Sequence, residues 1–159
     1  MSVVSDTTPL RYLAALGELE ILPRLFTEVA SPALVVSECL HSSAPETLRA
    51  WASAPPSWLR LVEVDEFDPR VLDLDPGEAA AITAALTMEA ELLLIDERKG
   101  RARAAELGLK RIGTLAILAR AGRCGWLDFD NAVSRLLVET NFRASSEVIE
   151  AAWKSSGDL

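Results

Sequence analysis

Four residues have the types and settings to do chemistry: the carboxylates Asp6, Glu38, Glu78 and Asp96. Asp6 follows the apolar pair Val3-Val4, and Asp96 follows Leu92-Leu93-Leu94-Ile95. Glu78 opens an alanine-rich helix, and Glu38 lies inside a helix built on Leu34, Val35 and Cys39. Carboxylates crowded together repel one another, and some are pushed toward protonation. A divalent cation reverses that penalty. Mg²⁺ takes oxygen ligands at about 2.0–2.1 Å and retains waters that can become nucleophiles. Two such ions about 3.5–4 Å apart stabilise both the attacking and the leaving oxygen of a phosphodiester. Acids without His or Cys suit Mg²⁺ or Mn²⁺ better than zinc.

Other chemistries find little support. His41 is the only histidine, so any zinc site or Ser-His-Asp triad would have to use it. There is no Gly-x-Ser-x-Gly, no Gly-x-Gly-x-x-Gly and no phosphate-binding Walker loop. Cys39 and Cys124 form no Cys-x-x-Cys pair and read as buried thiols of a reducing compartment. The length of 159 residues, half of them hydrophobic, predicts one domain over 1–159 with a substantial core. No apolar run approaches the roughly 20 residues of a membrane span. The start, Met-Ser-Val-Val-Ser-Asp, lacks the basic segment of a signal peptide, so a cytoplasmic location without a membrane partner is expected.

The net charge of −8 would oppose nucleic-acid binding if it were evenly spread. It is not. Residues 63–78 hold seven acids and one base, Arg70, whereas residues 98–111 hold six bases against Glu106 alone. Arg98, Lys99, Arg101 and Arg103 therefore offer a phosphate-positioning face beside Asp96, or simply a solvated helix face. Tyr12 and the four tryptophans read as packing residues, with no run of aromatics for bases to stack on.

The elements that must position the acids follow from periodicity and punctuation. Strands are expected at 2–5, 28–30, 58–64, 91–95 and 111–112, the third a half-buried edge strand that alternates Leu59, Leu61 and Val64 against polar neighbours. Helices are expected at 9–16 with Thr8 as cap, at 19–26 kinked at Pro23, and from Ser31-Pro32 to about Leu40. Others are expected at 45–52, 76–90, 97–107, 115–121, 128–138 and 146–155. Alternating strands and helices call for a parallel sheet with right-handed crossovers, a three-layer α/β/α domain. In such sheets ligands bind outside the carboxyl ends of the strands, where Asp6 and Asp96 both stand. Glu78 falls in a helix's first turn, where the macrodipole favours an anion. Glu38 falls at the border of its helix's apolar face. Each acid also has a plainer reading. Asp6 can cap the turn before Pro9, Asp96 can cap helix 97–107, Glu78 can complete a capping box with Asp75, and Glu38 can be a surface acid.

Order and spacing together carry a resemblance. Val3-Val4-Ser5-Asp6-Thr7-Thr8-Pro9-Leu10, Val35-Val36-Ser37-Glu38, Asp75-Pro76-Gly77-Glu78-Ala79-Ala80-Ala81-Ile82 and Leu93-Leu94-Ile95-Asp96-Glu97-Arg98 resemble, in turn, the segments that bear the acids of the PIN-domain superfamily. Its members are ribonucleases common as toxins of bacterial and archaeal toxin–antitoxin pairs. Asp-Pro-Gly-Glu and Ile-Asp-Glu-Arg, followed by Ile112-Gly113-Thr114-Leu115, point to one PIN-like subfamily. The resemblance covers nearly the whole chain. It departs at Glu78, where many toxins have Asp, so this carboxylate reaches one methylene farther.

The resemblance implies a PIN-like fold with a central, mainly parallel sheet. It also implies that Asp6, Glu38, Glu78 and Asp96 hold Mg²⁺ or Mn²⁺ and activate water for hydrolysis of RNA. Thr7 would bond a metal-bound water, and Thr114 would do so or cap its helix. Glu97 would stand in reserve, and Arg98, Lys99, Arg101 and Arg103 would bind RNA. A homodimer and an inhibiting antitoxin protein are the implied partners. The competing expectation is a PIN-like module that binds protein or RNA with little catalysis. A phosphotransfer or receiver domain is weaker still, because no Asp-x-Asp follows the first strand.

Overall fold

A computed structural model describes residues 1–158. Val3 and Val4 already contain the layering. Successive strand side chains point to opposite faces, and Val3 enters one hydrophobic cluster while Val4 enters the other. The strand they form, β1 (Val3–Ser5), is the middle of a five-stranded sheet with β2 (Val29–Pro32), β3 (Leu59–Val62), β4 (Leu92–Leu94) and β5 (Arg111–Ile112). The order is β3-β2-β1-β4-β5 and every pairing is parallel.

On the Val3 face lie α1 (Thr7–Leu16), α2 (Ile21–Phe26), α3 (Ala33–Cys39), α4 (Glu46–Ser53), α7 (Thr114–Arg123) and α8 (Phe129–Glu139). Their Leu10, Leu13, Leu22, Leu48, Ile117 and Leu136 pack over Val3, Leu92 and Leu94. On the Val4 face, α5 (Pro76–Thr87) and Ala104 of α6 (Arg98–Glu106) cover Val4, Leu93 and Ile95. The three α/β/α layers follow. α9 (Ser146–Ser155) lies outside, with none of its residues buried.

α5 is buried along Gly77–Ala85 without interruption. A helix apolar all round has to sit inside the protein, and small alanines let it lie close to β1, β2, β4 and α3. The chain runs outward from β1 to β2 and β3, and α5 then returns it to β4 on the other side of β1. The strand order therefore reverses between β1 and β4, the point where open α/β sheets place their ligands.

Several local expectations shift for identifiable reasons. α1 starts at Thr7, with Asp6 rather than Thr8 as its cap residue. Pro9 is tolerated at the third helical position because the first amides have no intrahelical partner anyway. Pro23 likewise falls in the first turn of α2 and kinks nothing. Ser31 and Pro32 complete β2, and Pro32 is at the same time the cap residue from which α3 opens at Ala33. In β3 Leu59 is buried but Leu61 is 49% exposed, because cover on that face of the edge strand stops short of it. Leu34 is exposed too, so α3 packs on Val35, Val36 and Cys39.

Candidate functional site

Asp6 and Asp96 flank the reversal point. The β1–β4 register pairs Ser5 with Leu94, and the Asp6 amide donates to the Leu94 carbonyl at 2.9 Å. Asp6 is thus held one residue beyond the strand end, only 2% exposed. Burial pushes its carboxyl up to about 7; the Thr7 amide opposes this, and the charges of Glu78, Glu38 and Asp96 add to it. Each of the other three acids is therefore near enough to act on Asp6.

The other three acids are each steered by a neighbour. Glu38, half-buried on α3, accepts a 2.6 Å hydrogen bond from the Thr7 hydroxyl. Asp96 accepts from both the Thr114 amide at 2.8 Å and the Thr114 hydroxyl at 2.7 Å. It thus caps α7 rather than its own α6, whose cap residue is Glu97. Burial raises the Asp96 carboxyl, and the two Thr114 bonds pull it back. Glu78, 7% exposed in the first turn of α5, is also raised by burial and then by Asp75 and Glu97. The capping box is half formed: the Asp75 amide favours the Glu78 carboxylate, but the Asp75 side chain caps nothing. The Oε1 of Glu78 is buried without a hydrogen-bond partner.

Three glycines, each on another element, make room for these acids. A Cβ at Gly77 would lie 2.5 Å from Glu38 Oε2, one at Gly100 2.8 Å from Glu78 Oε1, and one at Gly113 2.7 Å from Asp96 Oδ1. All three distances are closer than a methyl tolerates. Sequence reasoning missed these residues, although the signal was there to read: each glycine lies in or beside the first turn of a helix near an acid.

As their side chains stand, no three acids, histidines or cysteines among the described residues are drawn into an ion-holding set. The donors nevertheless fit a hard divalent ion chemically. They are all oxygen, the ionisation of Asp6 is opposed by its neighbours, and one Glu78 oxygen lacks any partner. Thr7 and Thr114 spend their hydroxyls orienting Glu38 and Asp96. Glu97 is exposed and adds negative field at Glu78 and Asp96.

The basic helix divides. Arg103 forms a two-bonded pair with Asp73 at 2.7 and 2.9 Å, and Lys99 reaches the same carboxylate at 3.4 Å. Arg101 donates to the Ile95 carbonyl at 3.4 Å and, with Arg98, borders a cleft that begins at Asp96. Arg111, Arg120 and Arg143 line that cleft too. Arg111 belongs to the basic stretch evident in the sequence, but nothing local marks Arg120 or Arg143. Tyr12 is half-buried and packs against the main core cluster, and its hydroxyl donates to Asn141 at 2.9 Å. Cys39 is buried and its thiol is pushed up to about 12, chiefly by burial, so it stays unreactive; Cys124 is exposed, contrary to expectation.

A three-layer α/β fold with acids at its strand-order reversal defines the class. The chain belongs to the PIN-domain family: the family model DUF3368, a PIN domain, matches residues 2–158. PIN domains are generally nucleases and typically use divalent metal ions, so nucleic acid is the substrate class the family implies. Among solved structures the chain is similar to a PilT N-terminus domain protein of the hyperthermophilic archaeon Sulfolobus solfataricus P2. That likeness has a TM-score of 0.52 and 18% identity over 91% of this chain and 100% of the other, and it concerns the fold. No curated protein matches the chain. No helix among the described residues is long and apolar enough to cross a membrane.

Proposed function

We propose that the chain is a Mg²⁺- or Mn²⁺-dependent endoribonuclease that hydrolyses RNA phosphodiester bonds. One observation carries the reading: Asp6 stands at the strand-order reversal, its ionisation opposed first by burial and then by the charges of Glu78, Glu38 and Asp96. Such a group gains most from a cation. Asp6, Glu38, Glu78 and Asp96 would hold the metal. One or two divalent ions, when bound, supply activation of water and neutralisation of charge at the phosphoryl group. Thr7 and Thr114 act as positioning residues that aim Glu38 and Asp96. Arg98 and Arg101 hold phosphate beside Asp96, and Glu97 adds to the field that attracts the cation. The finer assignment is the toxin of a type II toxin–antitoxin pair, cytoplasmic, homodimeric and restrained by an antitoxin. It rests on the family resemblance of the four acid-bearing segments.

The second reading is a PIN-like binding module with weak catalysis. It is favoured by the acids' not being drawn into an ion-holding set as they stand. Purified protein incubated with a broad RNA panel and Mn²⁺ or Mg²⁺ separates the two. Cleavage that disappears with EDTA and in folded Asp6→Asn supports the nuclease. Cleavage that survives Asp6→Asn sinks the proposed site, and bound but intact RNA supports the module.

A further inference from the structure

The cleft that starts at Asp96 crosses β5 and α7 and ends against α9, with a volume of about 720 Å³. Five arginines line it, Arg98, Arg101, Arg111, Arg120 and Arg143, and Asp96 is the only acid in its wall. Among the described residues none of the five has a carboxylate within ion-pair distance; other bases, such as Arg11 and Arg60, also lack one, and what sets the cleft apart is that five arginines share one wall. In a chain of net charge −8 this is a local inversion. Arg120 is half-buried and, like the other four, has no carboxylate within ion-pair distance among the described residues.

We propose that this cleft holds the sugar–phosphate backbone of single-stranded RNA next to the acidic site. The inference rests on the reading that the acids cleave RNA. Guanidinium groups form forked bonds to phosphate oxygens, and a row of them tracks a backbone without reading sequence. The cleft also contains Phe142, half-buried and braced edge-on by Tyr12 at a centroid distance of 5.1 Å. A basic groove with an aromatic ring for a base to stack on is how single strands are held. Only an unpaired base can stack on that ring, which favours a strand over a duplex. Carboxylate side chains of an acidic protein segment also match guanidinium. Such a segment, however, would run into Asp96 and the acids behind it, with no scissile phosphate to bring it there.

The test measures binding in the Asp6→Asn protein, so that RNA is held without being cut. A fluorescein-labelled single-stranded RNA is titrated by anisotropy at several salt concentrations. Arg111→Ala/Arg120→Ala/Arg143→Ala is expected to weaken binding by at least about tenfold. It should also lower the salt slope by roughly 2, at about 0.7 for each phosphate no longer neutralised. Arg111→Ala/Arg143→Ala, which alters only exposed side chains, guards against misfolding and should lower the slope by about 1.4. Lys99→Ala/Arg103→Ala should bind as the parent does. Unchanged affinity and slope in the cleft variants, duplex RNA bound as tightly as the strand, or a poly-glutamate peptide bound more tightly than RNA would each overturn the proposal. If the cleft variants lose RNA while unmodified protein cuts none with either metal, the cleft stands and the nuclease reading falls. If the same cleft substitutions in protein that retains Asp6 leave cleavage with unchanged KM, the reverse holds.

Discussion

The acidic crevice and the basic cleft share Asp96 but compensate their charges in opposite ways. In the crevice like charges are crowded and at least half-buried, and Thr7, Thr114, backbone amides and the nearby charges of Arg101 and Lys99 ease the strain. In the cleft like charges are spread along a surface where water screens them, with Arg120 the exception. The crevice is therefore expected to need a cation to reach its working state, while the cleft needs only a polyanion to pass. α6 shows how the two are kept apart. Its Lys99 and Arg103 are neutralised by Asp73 of the acidic connection, and its Arg98 and Arg101 are left facing the cleft.

The most forceful way to break this contrast is Asp6→Asn. Cleavage should fall by at least about 100-fold with RNA binding little changed, as expected for a group that acts on the reacting centre. A parallel loss of binding would merge the two regions into one. The same variant should be more stable than the parent at neutral pH. Between the ordinary carboxyl value of 3.8 and about 7 the folded chain binds a proton at Asp6 that the unfolded chain has lost. Ionisation therefore destabilises the fold as pH rises through that window, and the full cost persists above it. The rise from 3.8 to about 7, at about 1.4 kcal/mol per pH unit, sets an upper limit of roughly 4 kcal/mol. Denaturant midpoints at pH 5 and pH 8 measure it, and an equal effect at both would contradict the burial argument.

Metal addition sharpens the same contrast with a smaller effect. Mn²⁺ at about 100 times its Kd should stabilise the protein by about 2.7 kcal/mol at pH 8. That gain should vanish with EDTA and in Asp6→Asn, and should shrink below pH 7 as the Asp6 proton competes. Thermal melts in each condition report it; a metal effect that persists in Asp6→Asn would place the ion elsewhere. Thr114→Val comes next. The Asp96 carboxylate keeps the Thr114 amide but loses the hydroxyl, so kcat should drop by about tenfold and Thr114→Ser should restore it. A lowered melting temperature with unchanged kcat would reduce Thr114 to a helix cap. The smallest effect belongs to Asp73→Asn, which frees Lys99 and Arg103. Exposed pairs contribute little to stability, so the melting point should barely move while RNA binding tightens slightly. Loosened binding would mean that this side of α6 is not held away from the strand.

Much of the fold was legible because its signals are local. Val3-Val4, Leu92-Leu93-Leu94 and the cap-like Asp75-Pro76 marked β1, β4 and the start of α5 directly. The four acids were legible as candidates because each sits at an element's end or border. Strand order was not readable, since nothing within β1 states that β4 will lie beside it. The split of α6 was equally hidden: Arg103 meets Asp73 across 30 residues, a pairing that only tertiary packing creates. Periodicity misled at Leu61 and Leu34, where a residue on an apolar face lies beyond the reach of its cover.

Gly77 and Gly100 lie inside helices, where alanine would be favoured by up to about 1 kcal/mol each. Gly77 abuts only the free end of the flexible Glu38, so an added methyl there would be accommodated by moving that carboxylate, whereas at Gly100 it would meet both Glu78 Oε1 and the buried Ile95 Cδ1. A chain selected only for durability would carry alanine in place of Gly77, while Gly100 also makes room for the core side chain of Ile95. The glycines thus record a trade of helix strength for the seating of two carboxylates, and the reach of Glu78 can be altered without changing any charge.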